Sequence, residues 1–231
     1  MIYITGDTHG DFNRIHEFCY RYKTTKDDIL IILGDAGINY YGGNKDKKLK
    51  KRLSFLPITL FCIHGNHEIR PHHISTYDTI KYHNGEVYCE KEFPNILFAK
   101  DGEVYNFNNL DTLVIGGAYS VDKQFRIDNG YGWWSDEQPD DEIKVKVENV
   151  LLNRGNKIDV ILSHTVPLKY EPTEVFLPYI DQSKVDKSTE KWLDKIENET
   201  EYKKWYCGHY HTNKKIDKLN ILFEDILLFE E

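Results

Sequence analysis

Long apolar runs are missing from this chain: nowhere do they approach the roughly 20 residues that a bilayer-spanning helix requires, and mean hydropathy is −0.60. The opening "MIYIT" reads as a strand, with no basic n-region, apolar h-region or small-residue cleavage site. A soluble, cytoplasmic protein without an export signal is therefore expected. Cysteine is scarce too. Cys19, Cys62, Cys89 and Cys207 are scattered with no CxxC spacing, which speaks for free thiols in a reducing compartment and against a disulfide framework. Positive charge is in deficit, with 30 Lys and Arg against 38 Asp and Glu and a net charge of −8. That balance disfavours a broad nucleic-acid platform, which depends on basic residues neutralising phosphates. An anionic substrate would need a local reversal of sign, and bound divalent cations can supply one because they are often the largest charges in a site.

What the chain does have is 231 residues, 40% of them hydrophobic, enough to bury a sizeable core. No internal repeat, low-complexity linker or composition shift interrupts it, so a single domain over residues 1–231 is expected. Short β-branched runs alternate with helical patterns, which is the mark of an α/β arrangement. "IYIT" precedes a helix with Phe12, Ile15, Cys19 and Tyr22 at helical spacing. "ILIIL" follows at 29–33, then a lysine-rich helix around 44–53, then "ITLFCI" at 58–63. The lysine run 45–51 is expected to be a solvated helix face. The stretch "NILFAKDGEVYNFNNLDTLVIGG" holds three strand-like pieces parted by Asp-Gly and Asn-Asn, as in an antiparallel meander. A loop rich in aromatics and charges leads to a helix marked by Ile143, Val147, Val150 and Leu151. "DVILS", a proline-punctuated loop, a helix carrying Trp192, Leu193 and Ile196, then "KWYC", "NILF" and "ILLF" complete the chain.

The polar residues fall on this map in a repeating way. Asp7 and His9 follow "IYIT", Asp35 follows "LIIL", Asn66 and His67 follow "FCIH", His164 follows "VILS", and His209 and His211 follow "WYC". Each set stands at the C-terminal edge of a strand, where loops of open α/β sheets converge on ligands. Leaving His67 aside, these are two carboxylates, one amide oxygen and four imidazoles, a mixed O/N set suited to Mn²⁺, Fe²⁺ or Zn²⁺. So many donors exceed one tetrahedral ion. Two ions roughly 3.5 to 4 Å apart, sharing a carboxylate, account for the number and clamp both oxygens of an in-line displacement.

In order, GDTHG, GDAG, GNHE, SH and GHYH closely resemble the calcineurin-like metallophosphoesterase superfamily, whose signature is D-x-H, G-D, G-N-H-[DE], H and G-H-x-H. The match runs from Asp7 to His211, nearly the whole chain. The resemblance implies a four-layer αββα sandwich with a dinuclear centre, Mn²⁺ in the first place with Fe or Zn²⁺ as alternatives. It implies Asp7, His9 and His211 on one metal, Asn66, His164 and His209 on the other, and Asp35 bridging. A metal-bridging water would attack phosphorus while His67 protonates the leaving oxygen, with Glu68 beside it as an orienting group. The Ser/Thr protein phosphatase branch carries G-D-x-V-D-R-G, whereas the second motif here reads "GDAGINYYGG" and no Asp-Arg pair follows Asp35. That departure weakens a protein-phosphatase reading and leaves Arg70 or Arg126 as substitutes for the missing arginine.

Tyr119, Lys123, Arg126, Trp133 and Trp134 form a mix that could grip phosphate and stack a ring, or simply pack the loop onto the sandwich. His16, His72, His73 and His83 lie off the strand-end pattern and are expected at the surface. The expected activity is hydrolysis of a phosphomonoester or phosphodiester, with a phosphorylated small molecule, a nucleotide or a nucleic-acid end as substrate. A Ser/Thr phosphatase-like enzyme and a catalytically inert metal-binding interaction module are the alternatives.

Overall fold

A computed structural model describes residues 1–230. In chain order the elements are β1 (Ile2–Thr5), α1 (Asn13–Tyr22), β2 (Ile29–Ile32), α2 (Asn44–Leu53), β3 (Thr59–Cys62), β4 (Tyr77–Tyr82), β5 (Gly85–Glu90), β6 (Ile96–Ala99), β7 (Val104–Phe107) and β8 (Leu110–Ile115). The second half adds α3 (Lys123–Asp128), α4 (Asp141–Asn153), β9 (Val160–Ser163), α5 (Ser188–Glu199), β10 (Lys204–Cys207), β11 (Lys214–Ile216), β12 (Leu219–Ile221) and β13 (Leu227–Leu228).

The strands form two mixed sheets. One runs β13-β1-β2-β3-β6-β5-β4 and the other β11-β12-β10-β9-β8-β7. The strands β1, β2, β3 and β6 are parallel neighbours, as are β8, β9, β10 and β12, while the antiparallel strands lie outside them. Parallel strands covered on both faces need continuous apolar runs, and "IYIT", "ILII" and "VILS" are buried at every position.

Because side chains alternate along a strand, each sheet offers two faces to bury. Ile4, Ile31, Phe61 and Ile63 of the first sheet meet Phe107, Val114, Leu162 and Tyr206 of the second. The outer face of the first sheet, with Leu30, Ile32 and Leu60, is covered by Ile15 and Cys19 of α1 and Leu53 of α2. On the second, Ile161 and Trp205 are covered by Val147 and Leu151 of α4 and by Trp192, Leu193 and Ile196 of α5. Helix, sheet, sheet, helix is the resulting order of layers. The first turn of α4 is closed by Asp140, whose carboxylate accepts the Ile143 amide at 2.8 Å.

Some expectations are corrected. The three pieces of 95–117 do not form one meander, because β6 joins the first sheet beside β3 while β7 and β8 join the second. The Asp101-Gly102 turn carries the chain between sheets instead of folding it back. Lys50 is not solvated: it is buried, paired with Glu90 at 2.6 Å and set 4.7 Å over the Tyr77 ring. The two C-terminal runs part company, β12 entering the second sheet and β13 pairing with β1 in the first. All four cysteines are free and buried. Among the described residues no helix is long and apolar enough to cross a membrane.

Candidate metal centre

The C-terminal ends of β1, β2 and β3 from one sheet meet those of β9 and β10 from the other. Backbone bonds brace this region: the Gly117 amide, just past β8, donates to the His64 carbonyl past β3 at 2.8 Å, and the Gly208 amide past β10 to the His164 carbonyl past β9 at 2.9 Å. The chain leaves the strands through left-handed turns. His9, Asp35, His209 and His211 have φ of 47, 46, 69 and 49°, a region uncommon for non-glycine residues. Two glycines make room for His164 and Asp7. Gly34 has φ +95° and a Cβ there would lie 2.1 Å from His164 Nδ1, while a Cβ on Gly208 would lie 2.3 Å from Asp7 Oδ1.

Two groups of donors result. In the first, Asp7 Oδ2 lies 3.4 Å from His211 Nε2 and 3.7 Å from His9 Nε2, and the two ring nitrogens are 2.8 Å apart. Asp7 Oδ2 is buried and has no hydrogen-bond partner. In the second, His164 Nε2 and His209 Nδ1 approach Asn66 Oδ1 at 2.8 and 3.1 Å, and His164 Nε2 is 3.7 Å from Asp35 Oδ2. Asn66 Nδ2 donates to Ser120 Oγ at 2.9 Å, which turns the amide oxygen toward the histidines. His164 Nδ1 faces the Leu33 carbonyl at 2.7 Å, so that nitrogen carries the proton and Nε2 presents a lone pair. Asp35 shares a ligating radius with Asp7 and His164 on one side and with His9 and His67 on the other.

Lone pairs that converge on lone pairs need a cation between them. The buried unpartnered oxygen of Asp7 and the fixed tautomer of His164 therefore fit divalent metal at both groups, with O and N donors and no thiolate. Protonation states agree. Burial, then the neighbouring His164, pushes the His209 imidazole down to about 3, leaving it neutral. Burial opposes ionisation of Asp35, yet His164, His67 and His9 hold its carboxyl below the usual range.

His67 is placed differently. A ring nitrogen lies within ligating radius of His9 and Asp35, but Arg126 Nη1 donates to its Nδ1 at 2.8 Å. The neutral ring therefore carries its proton on Nε2, which is 3.6 Å from Asp122 Oδ1. Burial would lower its pKa, but Asp122 and Asp35 outweigh that and raise it. Its backbone amide donates to Asp35 Oδ1 at 2.8 Å. Glu68 is buried under the same loop, where desolvation and Asp35 raise its carboxyl to about 8.

The chain belongs to the calcineurin-like phosphoesterase family. A family profile of that description matches residues 1–213. Among solved structures, one aligns with 96% of this chain and 88% of its own at 11% identity and a TM-score of 0.51. The crystal structure of TT1561 from Thermus thermophilus aligns with 96% and 87% at 11% identity and a TM-score of 0.50. Both show the shared fold. No curated protein matches.

Beside the candidate ligands opens a cavity of about 850 Å³, lined by His9, Asp35, Asn66, His67, His209 and His211 at one end. Of the residues expected to hold substrate, Tyr119 lines it. Arg126 stands behind His67, with its Nε donating to the Gly132 carbonyl at 2.7 Å. Arg70 is buried elsewhere, paired with Asp101, its Nε donating to the Asp136 carbonyl at 2.8 Å. Lys123 lies 4.2 Å over the Trp133 ring, Trp133 Nε1 donates to Glu137 at 2.8 Å, and Trp134 packs edge-on to Tyr40. These three pack the loop and none lines the cavity. His16, His72, His73 and His83 are all exposed, at the surface as expected. His72 and His73 form a group with Asp136, but the Arg70 guanidinium 3.6 Å from that carboxylate opposes a cation there. Ser120 and Asp122 were not legible as site residues, since each acts through a partner more than 50 positions away in the chain.

Proposed function

We propose that the protein hydrolyses the ester bond of a phosphorylated small molecule, a monoester or diester, with two divalent cations, Mn²⁺ foremost. Asp7, His9 and His211 would hold one cation and Asn66, His164 and His209 the other, with Asp35 shared. The observation that carries this reading is the convergence of both donor groups on Asp35, with a tautomer-fixed histidine at the rim. Cations bound there supply Lewis acidity, bringing water toward ionisation near neutral pH and offsetting charge on phosphoryl oxygens.

The remaining work falls to the chain. Ser120 fixes the amide of Asn66 so that its oxygen faces inward. Arg126 fixes the His67 ring so that Nε2–H points away from the guanidinium, which suits delivery of a proton to a departing alkoxide. Asp122, 3.6 Å from Nε2, faces the Nε2–H edge and helps to hold the ring in that orientation. Asp7 and Asp35 are buried and keep their charge because imidazoles surround them.

The test is a panel of aryl phosphates and bis-aryl phosphates with added Mn²⁺. Turnover is expected, abolished by chelator and restored by metal, and Asp35→Asn is expected to lower kcat/KM by about a hundredfold or more together with metal content. Hydrolysis indifferent to both treatments would sink the reading.

A further inference from the structure

The end of the cavity remote from the ligands is built from groups that no phosphate requires. Val121 and Phe125 face it from one side and Val175, Phe176, Leu177 and Ile180 from the other, on the strap formed by residues 165–187. Val121, Phe125 and Leu177 are 41, 60 and 46% exposed, a concentration of apolar surface that marks a binding face. This wall is continuous with the metal-ligand loop. Tyr210 stands between His209 and His211, and its ring stacks on Phe176 with centroids 6.1 Å apart at 17°.

Charge narrows the occupant. The ionisable groups on this wall are Asp122, Glu171, Asp186 and Glu190 against Lys187 alone. Lys187 is already paired with Glu171 at 2.6 Å. Glu190 is 4% exposed and one of its oxygens has no partner. Among the described residues of the wall nothing is left to neutralise a second phosphate. Four carboxyl groups against one paired lysine disfavour it, while an apolar group is buried favourably in proportion to its area.

We propose that this chamber receives the alcohol portion of the substrate, and that this portion is a bulky apolar or aromatic group without negative charge. The assignment rests on the phosphoesterase reading above. A volume of about 850 Å³ is ample for a small-molecule group of this kind. Nucleoside polyphosphates and oligonucleotide ends, whose further phosphates would face the carboxylates, are poor substrates on this account.

Esters of primary alcohols test the idea with the chemical step matched: ethyl, benzyl and 2-naphthylmethyl phosphate, their methyl diesters, and adenosine 3′,5′-bisphosphate, a nucleotide whose alcohol portion carries a second phosphate, all with Mn²⁺-loaded protein. The expected result is a rise in kcat/KM of about tenfold or more from the ethyl to the naphthylmethyl ester, with the nucleotide near the ethyl ester despite its size. Leu177→Asp and Phe125→Asp, both at exposed positions, are expected to cut the naphthylmethyl-to-ethyl ratio about tenfold. A wild-type ratio near one, a ratio untouched by both variants, or the nucleotide as preferred ester would overturn the chamber assignment while leaving a working phosphoesterase. No turnover of any ester would overturn the phosphoesterase reading and the chamber with it.

Discussion

Glu190 illustrates how much a single buried group can report. It sits on α5, accepts the Thr165 hydroxyl at 2.8 Å through one oxygen and leaves the other without a partner. Desolvation raises its carboxyl from 4.5 to about 7. A carboxyl that binds its proton more tightly when folded contributes stability that is complete below the unfolded value. That contribution is lost as pH rises from 4.5 through about 7, to a total on the order of 3 kcal/mol. Glu190→Gln removes the titration and keeps the hydrogen bond. The melting temperature of the variant relative to wild type is expected to climb between pH 5 and pH 8. A difference that stays flat across that range would show that Glu190 does not titrate this way. His67 makes a complementary point: histidine after Gly-Asn is visible in the sequence, but the arginine that decides which nitrogen carries its proton lies 59 positions later.

At the scale of elements, the left-handed exits from β1, β2 and β10 carry strain at the residues that are aimed inward. Holding a non-glycine residue there costs of order 1 kcal/mol, tolerated because the surrounding sheets over-determine it. His211 has φ 49° and a side chain half exposed, so its removal forfeits little packing. His211→Gly is therefore expected to leave the metal-free protein as stable as wild type, or more so by about 1 kcal/mol in urea unfolding, while bound metal falls. A large loss of metal-free stability would mean the turn is not strained. The elements themselves were unevenly legible. Buried parallel strands announce themselves as apolar runs, whereas β4 has four exposed positions in six and shows no apolar face to read. Its hairpin turns at His83 and Asn84, both at positive φ, without the Asn-Gly or Asp-Gly pair at those two positions that usually signals such a turn. The short α3 was hidden in an aromatic loop, and β11 in a polar one.

For the molecule as a whole, the candidate centre is also a clasp. Asp7, His9, Asp35 and Asn66 come from the first sheet, His164, His209 and His211 from the second, so cations bound among them would join the two layers. Ligand that binds only the folded chain adds stability by mass action, about 2.7 kcal/mol at a hundred times Kd for one site. Saturating Mn²⁺ is thus expected to raise the melting temperature by several degrees and chelator to reverse it. Asp35→Asn is expected to lose most of the effect. Identical melting curves with and without metal would rule out the clasp.

The amino-acid sequence by itself determined which apolar runs are strands, their alternation with helices, and which histidines, carboxylates and amide stand at strand ends. Those features are local: an apolar run, a glycine, a donor two or three residues on. Tertiary structure alone decided that β6 and β7 belong to different sheets, that Ser120, Asp122 and Arg126 surround Asn66 and His67, and that Trp133 and Trp134 pack a loop instead of facing the cavity. It also built the apolar wall from two segments about fifty residues apart. The physical reason is that pairing partners and cavity walls are set by packing energies summed over the whole fold, which no short stretch of chain encodes.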